Sequence, residues 1–381
     1  MSKEKLKLKH RFINHLRNTL SYIVPKKKGL IVFVPIHNPQ RLSGNLKAFL
    51  RYLIDNQPEA SYRLITMHPI FEKQAIQSNI KHTVRGVFSA LWYELRAEII
   101  ILDASAPKYR GNYAIVQLWH GVGFKNVGLL NETTSPAEIK ELKKHYRSYK
   151  LVASTCPMDV EKQNKSFGIT STQITGYPRN DKLVRWEDFK ENTQKEFEFS
   201  EYKRIISYVP TFRDQPTQQP FSQQFWAALN EFLIKTNSLF LVKKHPWDEF
   251  IEIPNNYSHI KDVTHSIFPQ ELFMITDLLI SDYSSVFTDF VLTGKPILAY
   301  TYDLDAYIST CRSIYYKLEE ILPKPFIADE WELLERIKND SWMKDAIYIE
   351  SYHTFRNNFN TYQDAKSSER IWDMIKQFSE S

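Results

Sequence analysis

The chain has 381 residues, 43% of them hydrophobic and 25% charged, with two cysteines, Cys156 and Cys311. That length suits about two domains of ~150 residues. The cysteine count excludes a disulfide framework and a cysteine-rich zinc site, and no run of ~18 apolar residues is present to cross a bilayer.

No apolar signal core follows the basic start either, so the expectation is an intracellular chain. The net charge of +6 is unevenly placed. Residues 1–29 carry nine basic side chains (Lys3, Lys5, Lys7, Lys9, Arg11, Arg17, Lys26, Lys27, Lys28) against one acid, Glu4, so this segment is +8 and the remainder is −2. Leu6, Phe12, Ile13, Leu16, Leu20 and Ile23 fall near one face of a helix that Pro25 would end. A basic amphipathic helix can lie in a membrane interface, where anionic lipids attract its lysines. The plainer alternative is a helix docked on its own domain with a solvated charged face. Nucleic acid is disfavoured as a partner, because the near-neutral body offers no basic groove to continue the arm.

Beyond residue 29, short apolar runs alternate with helical patterns. The expected strands are Leu30–Val34, Tyr62–Thr66, Glu98–Leu102, Ala114–Leu118 and Leu151–Ala153, then Arg204–Val209, Leu239–Val242, His259–Val263, Leu278–Ser281 and Pro296–Tyr300. Helical patterns cover Asn45–Ile54, Ala137–Tyr146, Pro220–Ile234 and Val286–Thr293. Strands alternating with helices predict parallel sheets covered on both faces. Two such series, separated by the charged stretch Glu187–Lys203, predict two Rossmann-like domains. Only ten glycines occur, yet Gly121, Gly123 and Gly128 crowd into eight residues. Neither a Walker loop nor GxGxxG is present, which argues against a P-loop NTPase and a standard dinucleotide oxidoreductase.

Ligands of open parallel sheets sit beyond the carboxyl ends of strands, so the residues after each strand carry the chemistry. After Ala114–Leu118 come Trp119, His120, Gly121, Val122, Gly123, Phe124 and Lys125. An imidazole there is placed to act as a base near neutral pH, although a lone histidine is more often structural. After Leu239–Val242 come Lys243, Lys244, His245 and Pro246, whose cations suit a phosphate. His68–Pro69 lacks cationic neighbours and reads as structural. The segment from Asp277 through Ser281, Asp282, Tyr283, Ser284 and Ser285 to Phe290 ends a strand with two serines at the start of a helix. Such a terminus binds phosphate, and the alternative is plain capping. Asp282 would oppose a phosphate unless it orients a ribose, a hydroxyl or a histidine. Two more junctions, Gly176-Tyr-Pro-Arg179-Asn180-Asp181 and Val209-Pro-Thr211-Phe-Arg213, set an arginine beside a proline turn, and arginine forks onto phosphate oxygens.

Together these segments (QLWHGVGFKNVG, STCPMDVEKQNKSFGI, ITGYPRND, YVPTFRD, LVKKHP and DLLISDYSSVFTDFVLTGKPILAYTYDLDAY) resemble the CDP-glycerol glycerophosphotransferase family of teichoic-acid synthesis. The likeness runs from about Ile31 to the C-terminal helix, where DAKSSER (Asp364 to Arg370) echoes a family segment. The resemblance implies an α/β chain of GT-B architecture, two Rossmann-like domains facing a cleft, with the basic helix attached. The expected layout is a membrane-contacting helix at 1–29, an acceptor domain at 30–190, a CDP-glycerol-binding domain at 200–355, and a C-terminal helix at 356–381 that packs back on the N-terminal domain. It further implies transfer of glycerol phosphate from CDP-glycerol to a hydroxyl with release of CMP, using neither metal nor cofactor. By the match, His120 deprotonates the acceptor and His245 sits against the donor pyrophosphate. Arg179, Thr211, Arg213, Ser284 and Ser285 bind the donor phosphates, with Lys125, Asn180, Asp181, Lys244 and Asp282 as further substrate contacts. The family commonly reads Thr-Pro where Val122-Gly123 stand here, which points to a more flexible loop or an altered acceptor pocket. A chain of this length resembles the priming enzyme, which adds one unit to an undecaprenyl-pyrophosphate-linked ManNAc–GlcNAc disaccharide at the cytoplasmic face of the membrane. The alternatives are a glycerol- or ribitol-phosphate polymerase, a capsule enzyme, or a sugar-nucleotide glycosyltransferase of the same fold.

Overall fold

The computed structural model describes residues 13–38, 42–66, 68–84, 88–106, 108–213, 218–310 and 314–380. Two compact units divide the chain: one takes its described residues from Met1–His120, Val127–Arg179 and Lys366–Ser381, the other from Gly121–Asn126 and Asn180–Ala365.

The first unit is built on a seven-stranded sheet in the order β3-β2-β1-β4-β5-β6-β7. Its strands are β1 (Lys27–Val34), β2 (Ser61–Thr66), β3 (His82–Val84), β4 (Ala97–Leu102), β5 (Ile115–Gln117), β6 (Tyr149–Ser154) and β7 (Thr172–Ile174). Every pairing is parallel. The apolar runs Leu30–Val34 and Ile99–Leu102 are buried because helices cover both faces of such a sheet. The order reverses at the β1/β4 boundary, so the crevice there lies beyond Val34 and Leu102. The C-terminal helix Ser367–Glu380 packs on the helix Gly44–Asn56, burying Ile371 and Ile375. Gly176 permits this return: its φ is +77°, and a Cβ there would strike Ser367 Oγ.

The second unit holds a six-stranded parallel sheet in the order β10-β9-β8-β11-β12-β13. Its strands are β8 (Arg204–Tyr208), β9 (Ser238–Val242), β10 (Ile260–Asp262), β11 (Leu278–Ser281), β12 (Ile297–Tyr300) and β13 (Phe326–Ile327). The reversal falls between β8 and β11, placing a crevice beyond Tyr208 and Ser281. The ten expected strands are all present, while β3, β7 and β13 were not foreseen. Each of these three is a sheet edge of two or three residues, too short to show an apolar run.

Two expectations need correction. The charged stretch Glu187–Lys203 is no linker: it opens with the helix Glu187–Glu196, which packs on the helix Pro269–Ile275 and pairs Lys190 with Asp277 at 2.6 Å. The chain leaves the first unit between Arg179 and Asn180 and returns between Ala365 and Lys366. The N-terminal helix also stops early. Residues 13–20 are helical, and Lys27 and Lys28 already belong to β1. This segment docks on its own unit. Arg17 pairs with the buried Glu94 at 3.1 Å, Asn18 Oδ1 accepts from the Arg110 N–H at 3.0 Å, and Ser21 Oγ accepts from the Asn112 N–H at 2.8 Å. The cations Lys3, Lys5, Lys7, Lys9 and Arg11 lie outside the described residues.

Candidate functional site

In the first unit, His120 stands just past β5. Its approach is locally strained: Trp119 holds φ +55°, a left-handed conformation costly for a bulky side chain, and Gly121 follows at φ +136°. Side chains hold this turn in place. Gln117 Oε1 accepts from the Trp119 N–H at 3.1 Å. Asn45, itself buried, donates from Nδ2 to the Leu118 and Trp119 carbonyls at 2.9 and 3.0 Å. The Asn45 Oδ1 accepts from the Arg179 N–H at 3.2 Å, and Arg179 Nη1 donates to the His120 carbonyl at 2.8 Å. The same polar side chain thus ties Arg179 to the histidine turn.

The His120 ring lies against two others. His37 stacks on it with centroids 4.5 Å apart and planes 8° from parallel, and Trp119 lies 4.3 Å away at 34°. His120 Nδ1 is 3.0 Å from the Asp103 carbonyl oxygen, an acceptor only, so Nδ1 carries the proton and Nε2 keeps its lone pair. Asp103 follows β4 and His37 follows β1, so both flank the topological switch point. The Asp103 carboxylate accepts from the Ile36 and His37 N–H groups at 2.8 and 3.0 Å. Burial pushes the His120 pKa down to about 3; the nearby His37, and further off Arg179 and Lys162, push the same way against the Asp103 carbonyl. A neutral imidazole with a free Nε2 lone pair can accept a proton, while the same burial that keeps it neutral lowers its basicity.

In the second unit, the residues beyond β8 and β11 form a buried polar knot. Asp282, with no exposed surface, accepts from Thr211 Oγ1 at 2.6 Å, the Thr211 N–H at 2.9 Å, the Tyr283 N–H at 2.6 Å and Arg213 Nη1 at 2.6 Å. The other edge of the Arg213 fork is bidentate on Asp303, at 2.9 and 2.8 Å. Arg213 Cζ lies 5.4 Å from each of the Tyr283, Tyr302 and Tyr307 ring centroids. Burial opposes the Arg213 charge, but Asp282 and Asp303 outweigh it and raise the guanidinium above its ordinary range. Lys125 joins this cage, its Nζ 5.3 Å from the Tyr307 ring.

His245 is exposed beyond β9, against Phe212 (5.1 Å between centroids) and Trp247 (5.3 Å). Its Nδ1 accepts from the Trp247 N–H at 3.3 Å, so this ring carries its proton on Nε2, the reverse of His120. Burial lowers its pKa; Asp248 opposes this and Lys243 adds to it. Ser284 and Ser285 are only partly buried. Ser284 Oγ accepts from the Val286 N–H at 3.3 Å, and the helix behind them, Val286–Phe290, is a little over one turn long.

The structure places the expected site residues as follows. Arg213 pairs with Asp282 and Asp303 in a buried knot that also holds the Thr211 loop. Asn180 is buried and donates to Asp289 at 2.8 Å, with Asp181 opening the short helix Asp181–Val184 behind it. Lys244 directs its ammonium to the Ile251 carbonyl at 2.7 Å. Arg179 lies beside His120 in the first unit. His68 caps the helix Pro69–Gln77. Residues not foreseen are His37, Asn45, Asp103 and Asp303. His37 carried a usable signal, a histidine two residues beyond a strand's Pro35, whereas Asp303 lay unremarked within YTYDLDAY. A cavity of about 450 Å³ opens beyond β12 and β13, lined by Gln218, Phe221, Tyr300, Tyr302 and Glu330 among others. Among the described residues, no three His, Cys, Asp or Glu side chains gather to hold a metal ion.

The family model described as CDP-glycerol:poly(glycerophosphate) glycerophosphotransferase matches residues 16–377. A teichoic acid glycerol-phosphate transferase of Staphylococcus aureus is 27% identical over 91% of this chain and 93% of its own length. A teichoic acid glycerol-phosphate primase of Bacillus subtilis is 30% identical over 76% of each. A variant of the wall teichoic acid polymerase TagF, soaked with CDPG, superposes with a TM-score of 0.81 at 22% identity, covering 98% of this chain and 97% of that one. That likeness establishes a GT-B fold.

Proposed function

The chain belongs to the CDP-glycerol:poly(glycerophosphate) glycerophosphotransferase family, and from that premise we propose that it transfers one glycerol phosphate from CDP-glycerol to a hydroxyl of a lipid-linked ManNAc–GlcNAc disaccharide. His120 takes the acceptor hydroxyl proton on Nε2 while its Nδ1–H stays on the Asp103 carbonyl. The freed oxygen attacks the phosphorus bearing glycerol, a new P–O bond forms, and the anhydride bond to the cytidylate phosphate breaks, so that CMP departs with the electron pair. His245 donates from Nε2 to the donor's phosphate oxygens as charge builds there. The Ser284 and Ser285 hydroxyls supply further donors, and the Thr211 loop, tied to Asp282, shapes the wall beside them. The cavity beyond β12 and β13, with its tyrosines and amide side chains, suits the cytidine. The single observation that carries this reading is the pair of opposite tautomers: one imidazole shaped to accept a proton, the other to donate a hydrogen bond.

Support for priming comes from the 30% identity to a glycerol-phosphate primase. The chain acts at the membrane surface through its N-terminal segment, whose Ile13, Leu16, Tyr22 and Ile23 are exposed. No helix among the described residues is long and apolar enough to cross a bilayer. Incubation with CDP-glycerol and the lipid-linked disaccharide should give one mass increment of glycerol phosphate. Ladders would make it a polymerase, and turnover only with CDP-ribitol would move it to the ribitol branch.

A further inference from the structure

A face crowded with cations lies remote from His120. A cavity of about 340 Å³ opens at the amino ends of β5 and β6, walled by Tyr22, Arg110, Lys144, Arg147 and Lys150, with the 111–114 backbone as its floor. His120 lies at the opposite end of the same strand, six residues from Ala114. At ~3.3 Å per residue, that is on the order of 15–20 Å away.

Four cations meet one carboxylate here. Glu141 binds both Arg110 and Lys144, whereas Arg147 and Lys150 are exposed and make no ion pair among the described residues. Helix electrostatics accounts for Lys143 and Lys144, which sit in the last turn of the helix Pro136–Tyr146 where cations offset its dipole. It does not account for Lys150, which belongs to β6, or for Arg110 on the loop before β5. The rim is of another character: Tyr22 is 69% exposed and Ile23 71%, both on the segment that Asn18 and Ser21 anchor to the 110–112 loop. A cavity rimmed by cations beside an exposed tyrosine and isoleucine is complementary to an anionic lipid headgroup with its acyl chains alongside.

We propose that this cavity is a headgroup site for the phosphate of an anionic membrane lipid, with Arg147 and Lys150 as the principal charges and Tyr22 and Ile23 entering the interface beside it. The inference rests on the membrane-surface reading above and names the residues that would perform it.

The test sediments the full chain with phosphatidylcholine vesicles, with and without phosphatidylglycerol. Wild type should bind the anionic vesicles, and Arg147→Glu with Lys150→Glu should weaken that binding roughly tenfold or more. Transfer to a soluble acceptor and the thermal midpoint should not change. Tyr22→Ser should weaken binding to both vesicle types. Equal binding of the double variant and wild type to anionic vesicles would overturn the pocket while leaving the membrane reading in place. Absence of wild-type binding to any vesicle would overturn both. If glycerol 1-phosphate or inorganic phosphate bound wild type but not the double variant, with vesicle binding unaltered, the cavity would be a site for a soluble anion and the lipid assignment would fall.

Discussion

His120 owes its proposed role to three neighbours that fix ring plane, tautomer and charge separately. His37 and Trp119 set the plane, the Asp103 carbonyl sets the tautomer, and burial keeps the imidazole neutral. Replacing His120 with alanine should lower turnover by about 10²–10⁴-fold with an unchanged far-ultraviolet spectrum; undiminished turnover would remove it from the chemistry. His37 offers a finer test, because its ring contributes both a surface and a charge. His37→Ala removes both and should lower kcat roughly tenfold or more, through misplacement of the base, with little change in KM for CDP-glycerol. His37→Phe restores the stacked ring and should recover most of that loss. Both substitutions remove one of the influences that depress the His120 pKa below its ordinary value. Its pKa then rises, so the acid limb of kcat/KM should move to higher pH. A pH profile identical to wild type would show that the stack carries no electrostatic coupling.

Between elements, Arg213 works as a strap. Its fork joins the loop after β8 to those after β11 and β12, through Thr211, Asp282 and Asp303. Removing one member of a buried ion network strands the others, which costs about 3–5 kcal/mol. Arg213→Ala should therefore lower the unfolding free energy read from urea titration by an amount of that order and raise KM for CDP-glycerol, because the Thr211 loop loses its anchor. Arg213→Lys keeps the charge but cannot reach both carboxylates bidentately, so it should fall between the two. A stability equal to wild type in the alanine variant would show that water replaces the strap at no cost.

Over the whole molecule, buried neutral imidazoles make stability depend on acid. His145 lies fully buried, its Nδ1 on the Tyr109 carbonyl and its Nε2 accepting from the Ala106 N–H and the Tyr149 hydroxyl. Burial lowers its pKa to about 4. An unfolded histidine takes its proton near pH ~6.5, before the folded one does, so between those values the unfolded state binds more protons and stability falls as pH falls. The contribution is fully present above ~6.5 and is lost down to about 4, on the order of 3 kcal/mol from this residue. His120 adds a loss of the same sign reaching to about 3. A urea series from pH 7 to 4 should show this slope, and His145→Gln should flatten it while lowering stability throughout. An unchanged slope in that variant would place the acid sensitivity elsewhere.

The alternation of apolar runs with helical patterns was enough to foresee two parallel sheets, because strand burial on both faces is a local, periodic property of the chain. The strand-end rule was likewise enough to single out His120, His245 and the two serines. What the sequence could not disclose is which polar groups are already spent. Arg213 and Asp282 looked like two separate binding groups and Asp303 drew no notice, yet they are 69 to 90 positions apart in the contacts they make. Only the tertiary structure shows that they satisfy each other. The same holds for Asn180 with Asp289, and for the Asp103 carbonyl that decides which His120 nitrogen is free. Hydrogen-bond saturation is a long-range, pairwise property; hydrophobic period is not. That difference separates what this sequence determined, its two parallel sheets and the polar segments at their strand ends, from what folding decided, the division of those segments into groups left accessible and groups spent on one another.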